Sequence, residues 1–427
     1  MRSSILSISF RSRHRPTWRT AWPAGTVPSM TYPSIVSPII VRVTLSMCSL
    51  FVAVKTIDSV AIKPALTTAD AHCQDNKNSS SLTSASATLA SSTMTRSITP
   101  FALLSPMRRS RPMLCNIQDI QVHFAPRTQS VAQAAQALGL GPLEAKMYER
   151  FYGLKRLPYD GQGSLLDLAR PVVDRLLDGH PELKTRLTHV VHCHTIPAIA
   201  PFDNAPLAQY INTQCHPRVE FCSYTMSHCS TALSALQFTA SLLNDDEYAI
   251  LLIAEKAFHK WVRLVPDTTI MGEAACAVLI SKTGQRFQVL DNRSQRAGQF
   301  ALNNGFETNV ANQKAFQDAY PRFLAQHVEW SLHHMQRIAS DIRYLLPHNV
   351  NKPSWLQVAK NINFPSTQVF LNNIEKYGHC FGSDPFINLH SLWQENKLSP
   401  GHELLLVSVG LGATASSALV RCGNLIN

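Results

Sequence analysis

Short apolar runs alternate with longer amphipathic segments from Met113 to the end of the chain. Apolar runs of this length predict buried strands, and the amphipathic segments predict helices. The alternation of the two is typical of an α/β domain. The predicted strands cover residues 117–124, 189–193, 220–223, 249–255, 275–281, 286–290, 342–347, 368–371, 403–409 and 415–421. The predicted helices include residues 130–138, 167–177, 231–243 and 313–339.

Two segments of this region repeat one pattern. EYAILLIAE is followed by GEAACAVLIS, and HELLLVSVG is followed by GATASSALVR. Each pair reads as a buried strand, a loop with Gly and Ala, and a second apolar strand, which a duplicated fold would produce. We therefore expect an N-terminal half at residues 113–285 and a C-terminal half at residues 286–427.

The first 112 residues have a different composition. They hold 13 of the 39 Lys and Arg residues but three of the 28 acidic ones, and they include runs such as SSSLTSASATLASSTMT. Such a segment cannot bury enough apolar surface to offset its ordering entropy, so we expect it to be disordered. It reads either as a transit peptide or as sequence upstream of a true translation start at Met113 or Met107.

The net charge of +11 comes almost entirely from that leader, because 26 basic and 25 acidic residues remain downstream. The basic clusters carry no interleaved aromatics, so nucleic-acid binding is not expected. The apolar run at residues 35–54 is interrupted by Pro38 and Arg42, which argues against a membrane span. The ten cysteines form no CxxC pair, so we expect a cytoplasmic protein without a metal site.

Cys229 stands where a strand, a turn and an apolar helix follow one another, in EFCSYTMSHCSTALSALQFTASLL (residues 220–243). A thiol at a helix N-terminus feels the positive end of the helix dipole, which favours the nucleophilic thiolate. The alternative is a small buried cysteine with no chemistry. His228 and Cys222 are expected to be structural.

Three further segments follow in order: TTIMGEAACAVLIS, LLPHNVNKPSW and ELLLVSVGLGATASSALVRC. With CSTALSAL, they resemble the motifs of the β-ketoacyl synthase III family, over roughly residues 113–427. The resemblance implies a thiolase-like, duplicated five-layer α-β-α-β-α fold with Cys229 as the acyl-carrying nucleophile. It aligns His348 and Asn351 with the family's His-x-x-Asn loop, in which Asn351 is expected to position substrate. It also places Gly410 and Gly412 in a loop where both glycines allow close backbone approach and where an amide, with that of Cys229, forms an oxyanion hole.

The chain departs from this family at IEKYGHCFGSDPF. The condensing enzymes of the family resemble the sequence KYGN at this point and use its Asn as an oxyanion donor. This chain has His379 at the position of that Asn, and Asp384 follows five residues later. Certain related acyltransferases of natural-product pathways resemble this arrangement. Asp384 would then orient His348 as a base for a hydroxyl or amine acceptor, although an Asp before Pro is also a common turn or N-cap residue. Alternatively, neutral His379 replaces the Asn as a donor and condensation survives.

The sequence thus predicts an acyltransferase that takes an acyl group from acyl-CoA or an acyl carrier protein, without a bound cofactor. The acceptor is either a malonyl thioester, by decarboxylative condensation, or an oxygen or nitrogen nucleophile. A homodimer, or a heterodimer with a related subunit, is expected from the resemblance. The alternatives are a catalytically inactive partner subunit, which retention of Cys229 and His348 opposes, and a Cys-His hydrolase of another fold.

Overall fold

The computed structural model describes residues 113–195, 200–301, 303 and 310–425. The predictions made for residues 1–112 lie outside the described residues. The strands are β1 (Cys115–Phe124), β2 (Thr128–Ser130), β3 (Arg156–Pro158), β4 (Leu187–Cys193), β5 (Glu220–Tyr224), β6 (Tyr248–Ala254), β7 (Leu264–Val265), β8 (Thr269–Ile270), β9 (Ala274–Ser281), β10 (Phe287–Arg296), β11 (Tyr344–Pro347), β12 (Glu403–Gly410) and β13 (Thr414–Cys422). The helices are α1 (Val131–Leu138), α2 (Pro142–Lys146), α3 (Leu165–Gly179), α4 (Leu183–Arg186), α5 (Ala200–Gln214), α6 (Thr231–Ser241), α7 (Lys260–Arg263), α8 (Val310–His334), α9 (Lys352–Asn361), α10 (Asn372–Tyr377) and α11 (Asp384–Gln394).

Local sequence signals explain where several helices begin and end. Ser130 and Gln133 form a capping box at the start of α1, and Ser164 and Asp167 form another at the start of α3. Each box satisfies backbone amides that the first helical turn leaves unpaired. Helix α1 ends at Gly139, which adopts the left-handed conformation that glycine tolerates best.

A nine-stranded sheet in the order β11-β12-β13-β10-β1-β9-β6-β4-β5 organises the described residues. On one side of the β1–β10 pair the order outward is β1, β9, β6, β4, and on the other side it is β10, β13, β12, β11. Both sides carry two antiparallel pairings and then a parallel one. The two halves therefore repeat one topology, as the paired sequence segments predict.

The alternation of side chains along the strands places helices on both faces of the sheet. In β6, Leu251 and Ile253 belong to a core cluster with α6 and α11, whereas Ile250 and Leu252 belong to a cluster with α3. In β12, Leu406 joins the α6 and α11 cluster, and the neighbouring residues pack with α8 and α9. The strands of the two halves thus lie on either side of the central pair α6 and α11, and outer helices cover their other faces, which gives five layers. This confirms the predicted thiolase-like five-layer fold.

One predicted strand is wrong. Residues 368–371 do not form a strand, because residues Ser366–Gln368 make a 3₁₀ turn and α10 begins at Asn372. Within this stretch Val369 makes an isolated bridge to Leu345. The three apolar residues Val369, Phe370 and Leu371, between this turn and α10, are too few to extend a ladder. The predicted division between residues 285 and 286 falls between β9 and β10, and it stays a prediction about domain organisation.

Candidate active site

A strained turn presents Cys229 at the start of α6. Met226 and His228 have positive φ angles of 75° and 48°, which are uncommon for residues with side chains. Residues His228–Ser230 then form a 3₁₀ turn that leads directly into α6. The Ser408 hydroxyl on β12 donates a 2.7 Å hydrogen bond to the Cys229 carbonyl oxygen. The nucleophile's backbone is therefore held from both halves of the fold.

The hairpin between β12 and β13 lies against this turn. A Cβ atom added at Gly410 would lie 2.3 Å from the Ser227 carbonyl oxygen and 2.6 Å from the His228 Cβ atom. Gly410 is therefore needed for close approach, as expected. The same expectation for Gly412 is wrong, because a Cβ there would meet its nearest atom at 3.5 Å, an ordinary contact.

His379 is the imidazole that contacts the candidate nucleophile. Its Nε2 atom lies 3.2 Å from Cys229 Sγ, and its Nδ1 atom lies 2.5 Å from Asp384 Oδ2. The Gly272 amide donates to the His379 carbonyl oxygen, and a Cβ at Gly272 would lie 2.2 Å from the Tyr377 carbonyl oxygen. The glycine of the GEAACA segment thus lets the backbone approach that places His379.

Asp384 is fully buried at the first position of α11, where its carboxylate contacts two backbone amides and one imidazole. Oδ1 accepts a 2.8 Å hydrogen bond from the Cys380 amide, and Oδ2 accepts one of 2.6 Å from the Asn349 amide as well as contacting His379. The prediction that Asp384 orients His348 is therefore wrong. The carboxylate lies five residues from His379 across a short 3₁₀ turn, and this local geometry brings those two side chains together.

The electrostatics of the two histidines differ. Burial opposes a charge on His379, but the Cys229 and Asp384 side chains outweigh it and raise the pKa of His379 to about 10. Burial lowers the pKa of His348 well below its usual value, and the nearby charge of His379 lowers it further. At neutral pH, His379 is therefore the protonated imidazole and His348 the neutral one.

His348 lies close to His379, with 5.7 Å between the ring centroids, but its polar atoms serve other partners. Its Nε2 atom lies 2.7 Å from the Tyr320 hydroxyl. Asn351, predicted to position substrate, caps α9 by accepting from the Ser354 amide, and its own amide donates to the Thr268 carbonyl oxygen. Both Asn351 hydrogen bonds hold backbone and neither serves the cavity.

Cys229, His379, His348, Asn351 and Gly410 line one cavity of about 1090 Å³, counting its open mouth. Asp384 stands behind His379, outside that lining. Most of the remaining wall is apolar, with Trp261, Val265, Met271, Phe316, Val350 and Phe381 among the residues that form it. Such a cavity suits an apolar acyl chain next to a small group of polar atoms.

Tyr320 is a cavity residue for which the sequence offers no motif. It lies on α8 with Gln313, Phe316 and Gln317, which recur at the three- and four-residue spacing of one helix face. That spacing predicts a shared face, but not that the face closes a catalytic cavity. His228, expected to be structural, also lines the cavity.

Two further observations concern metals and membranes. Among residues 113–195, 200–301, 303 and 310–425, no group of three or more His, Cys, Asp or Glu side chains is arranged to hold a metal ion. None of the helices in these ranges is long and apolar enough to cross a bilayer.

Parts of the chain are similar to known proteins. A family model described as the C-terminal part of 3-oxoacyl-[acyl-carrier-protein] synthase III matches residues 332–422, which include His348, His379 and Asp384. The β-ketoacyl-[acyl-carrier-protein] synthase III of Rickettsia typhi is 27% identical over 207 residues, or 45% of this chain. The matched region spans 65% of that relative's length.

Two solved structures share the fold. The acyltransferase ChlB3 superposes with a TM-score of 0.62 at 18% identity, covering 73% of this chain and 98% of its own. The 3-oxoacyl-[acyl-carrier-protein] synthase III of Aquifex aeolicus gives a TM-score of 0.58 at 18% identity, covering 72% and 99%. The chain therefore shares the thiolase-like fold of these two structures, and its residues 332–422 are similar to the C-terminal part of 3-oxoacyl-[acyl-carrier-protein] synthase III.

Proposed function

We propose that this protein is an acyltransferase that carries an acyl group on Cys229 and passes it to a hydroxyl or amine acceptor. The observation that supports this most directly is the hydrogen-bonded chain from Cys229 through His379 to Asp384. A nucleophile, a base and a carboxylate that orients the base are the parts that acyl transfer requires. The donor is acyl-CoA or an acyl carrier protein.

In the first half-reaction, the Cys229 thiolate attacks the donor thioester carbonyl carbon. A bond forms between that carbon and Cys229 Sγ, and the bond to the donor sulfur breaks. The departing thiolate takes a proton from the protonated His379, which leaves a neutral imidazole. The high pKa of His379 keeps the imidazole protonated at neutral pH, as this proton transfer requires.

The second half-reaction needs His379 as a base. Once Cys229 is acylated, its charge no longer supports the imidazolium, so burial of the ring lowers the pKa of His379 again. Neutral His379 then takes the proton of an acceptor hydroxyl or amine as that atom attacks the acyl carbon. The bond to Cys229 Sγ breaks, and the thiolate and imidazolium are restored.

Two contacts favour an oxygen or nitrogen acceptor over a malonyl thioester. Decarboxylative condensation develops negative charge on an enolate, and it is helped by neutral or cationic donors that are free to bind the carbonyl oxygen. Here the Asp384 carboxylate stands behind His379, and the Tyr320 hydroxyl occupies Nε2 of His348. Neither imidazole offers the uncommitted donor that condensation uses.

The carbonyl oxygen of the acyl group needs its own donors. We assign them to the backbone amide of Cys229, at the start of the 3₁₀ turn, and to an amide of the hairpin tip at residues 410–413. The close contact of Gly410 with the nucleophile turn supports this assignment. Asn351 receives no part in it, because its amide group holds backbone.

Condensation with a malonyl carrier is the second candidate, because the names of the matched relatives describe 3-oxoacyl synthases. A catalytically inactive partner subunit is disfavoured by the intact contacts of Cys229, His379 and Asp384. A homodimer, expected from the family resemblance, stays a prediction.

Intact-mass spectrometry tests the proposal. The protein is incubated with acetyl-, hexanoyl- and decanoyl-CoA and with the matching acyl carrier proteins, beside Cys229→Ala. We expect an acyl adduct on the wild type that the variant lacks. Adducts are then challenged with glycerol, ethanolamine or malonyl-CoA. Transfer to the first two supports acyl transfer, whereas release of CO₂ with a 3-oxoacyl product would establish condensation instead. If none of the donors gives an adduct, the proposed acyltransferase function is contradicted.

A further inference from the structure

Tyr320 brings a phenol hydroxyl into the cavity that holds Cys229 and His379. It projects from α8 beside Phe316 and Pro321, and its hydroxyl oxygen lies 2.7 Å from His348 Nε2. Burial raises the pKa of Tyr320 above its usual range, and the proximity of Cys229 raises it further. The phenol therefore stays protonated and keeps both its hydrogen-bond donor and its acceptor sites.

His348 has the properties of a fixed support for that phenol. Its side chain is 1% exposed, and its ring packs edge-on against Trp355 at 5.3 Å between centroids. Its backbone is held at both polar atoms, by the Val407 carbonyl oxygen and by the Trp355 indole N–H. Within the described ranges its Nδ1 atom has no hydrogen-bond partner. The ring's hydrogen bonding is thus directed to Tyr320.

The direction of this hydrogen bond leaves Tyr320 one polar function for the cavity in either case. If His348 carries its proton on Nε2, it donates to the phenol oxygen, and the Tyr320 O–H is free to donate. If the proton is on Nδ1, Tyr320 donates to Nε2 and keeps its oxygen lone pairs as acceptors. An acceptor hydroxyl or amine, which both donates and accepts, can pair with either arrangement.

We propose that Tyr320, anchored on His348, is an acceptor-positioning residue that hydrogen-bonds the nucleophilic oxygen or nitrogen of the acceptor beside His379. This inference rests on the proposed function. It predicts that Tyr320 acts in the second half-reaction, in which the acceptor is present. In the first half-reaction the thiolate of Cys229 is the nucleophile and needs no such positioning.

The two half-reactions are measured separately in the full-length wild type and in Tyr320→Phe. Acylation of Cys229 by acetyl-CoA is followed by intact mass in a single turnover. The loss of the acetyl group to glycerol, ethanolamine and water is then followed on the isolated acyl-enzyme. We expect acylation within about twofold of the wild type and transfer slowed by about tenfold to hundredfold, the effect of one hydrogen bond in a buried site.

Two further variants make the test specific. Tyr210→Phe removes a phenol hydroxyl that bonds Asp174 in the outer helical layer, and we expect both half-reactions to be unchanged. His348→Phe keeps an aromatic ring but removes the anchor, so it should slow transfer selectively. The double variant Tyr320→Phe with His348→Phe should transfer no more slowly than the slower single variant, because the two residues act as one unit.

Each result has one interpretation. Equal slowing of both half-reactions in Tyr320→Phe, or unchanged transfer to all three acceptors, would overturn the role of Tyr320 while leaving the acyl-enzyme in place. Multiplicative effects in the double variant would also overturn it. If the wild type forms no acyl-enzyme, the proposed function itself fails, and the role of Tyr320 fails with it.

Discussion

Asp384 connects the chemistry of the site to its architecture. One carboxylate orients His379 and also accepts the amides of Cys380 and Asn349, so it fixes the loop that carries His348. A neutral amide in its place can accept at one oxygen only, and its NH₂ group opposes one of these donors. The side chain is therefore needed both for the charge of His379 and for the shape of the cavity.

We predict that Asp384→Asn slows acylation of Cys229 by about a hundredfold to ten-thousandfold, since the imidazole loses the carboxylate that sets its tautomer and charge. Because the carboxylate that supports its charge is gone, His379 should lose its proton at a lower pH than in the wild type. Alkylation of Cys229 by iodoacetamide, measured from pH 5 to 10, checks this shift. Near-wild-type acylation with an unchanged alkylation profile would remove Asp384 from the mechanism.

The two glycines of the terminal loop form a matched pair. We predict that Gly410→Ala slows acylation at least tenfold, because its Cβ would meet the Ser227 carbonyl oxygen at 2.3 Å and displace the nucleophile turn. Overpacking of this kind also costs about 1–3 kcal/mol of stability. Gly412→Ala, with 3.5 Å of clearance, should behave as the wild type. Acylation rates and thermal melts measure both effects, and equal behaviour of the two variants would contradict the assigned contact.

Single residues of the site could be predicted from the sequence to different degrees. The role of Cys229 could be predicted because it depends on local structure. One stretch of sequence encodes the strand, the turn and the helix start that surround this residue. The partner of Asp384 could not be predicted, because either His348 or His379 is a reasonable partner until the fold sets their distances from the carboxylate. The role of Tyr320 could not be predicted either, because it depends on how α8 packs across the cavity, and no local pattern encodes that packing.

At the scale of elements, Glu403 at the start of β12 ties the end of α8 to the sheet of the second half. Its carboxylate accepts from Arg337, just beyond α8, and from Arg421, which lies opposite it on β13. Burial acts to raise the pKa of Glu403, but the hydrogen bonds of the two arginines outweigh burial and lower it below 4.5. The end of the helix that carries Tyr320 is therefore fixed by charge.

This cluster predicts a pH dependence of stability. Since the pKa of Glu403 is lower folded than unfolded, its stabilisation is present above about pH 4.5 and is lost as the pH falls through the folded pKa. Glu403→Gln should lower the free energy of unfolding at pH 7 by about 1.5–3 kcal/mol. The free energy of unfolding of this variant should also fall less steeply than that of the wild type as the pH is lowered. Denaturant melts at several pH values measure both quantities. Glu395→Gln, whose lysine partners are half exposed, should change stability by less than about 1 kcal/mol.

The elements themselves were largely predictable because buried strands are short continuous apolar runs, whereas the helices are longer amphipathic segments. Strands such as β6 and β12 are continuous apolar runs, because helices cover both faces of the sheet at these strands. Residues 368–371 show the limit of this reasoning, since three apolar residues between a 3₁₀ turn and a helix are buried without forming a strand. The single sheet through β1 and β10 depends on pairing between distant segments, which no local pattern specifies.

At the scale of the whole molecule, the central helices unite the two halves. The core cluster around α6 and α11 contains residues of β4 and β6 from the first half and of β12 and β13 from the second. Neither half can expose this layer without exposing the apolar face of the other. The described fold should therefore unfold as one cooperative unit rather than half by half.

We predict that Phe386→Ala, which empties a fully buried site on α11, lowers the free energy of unfolding by about 3–5 kcal/mol. The loss should appear in one transition shared by both halves. Calorimetry provides the measurement, through agreement between the calorimetric and van't Hoff enthalpies. Two separated transitions, with only the second-half one shifted, would contradict the shared core.

The repeated topology also places the reacting groups in the two copies of one motif. Cys229 precedes α6 in the first half, and Asp384 begins α11 in the second, so each half contributes one end of the hydrogen-bonded chain. A chain cut between residues 285 and 286 would separate a thiol from its base. Recovery of Cys229 reactivity on mixing the two fragments would then show that the halves have reassembled. The reactivity of this thiol would therefore measure the association of the two halves.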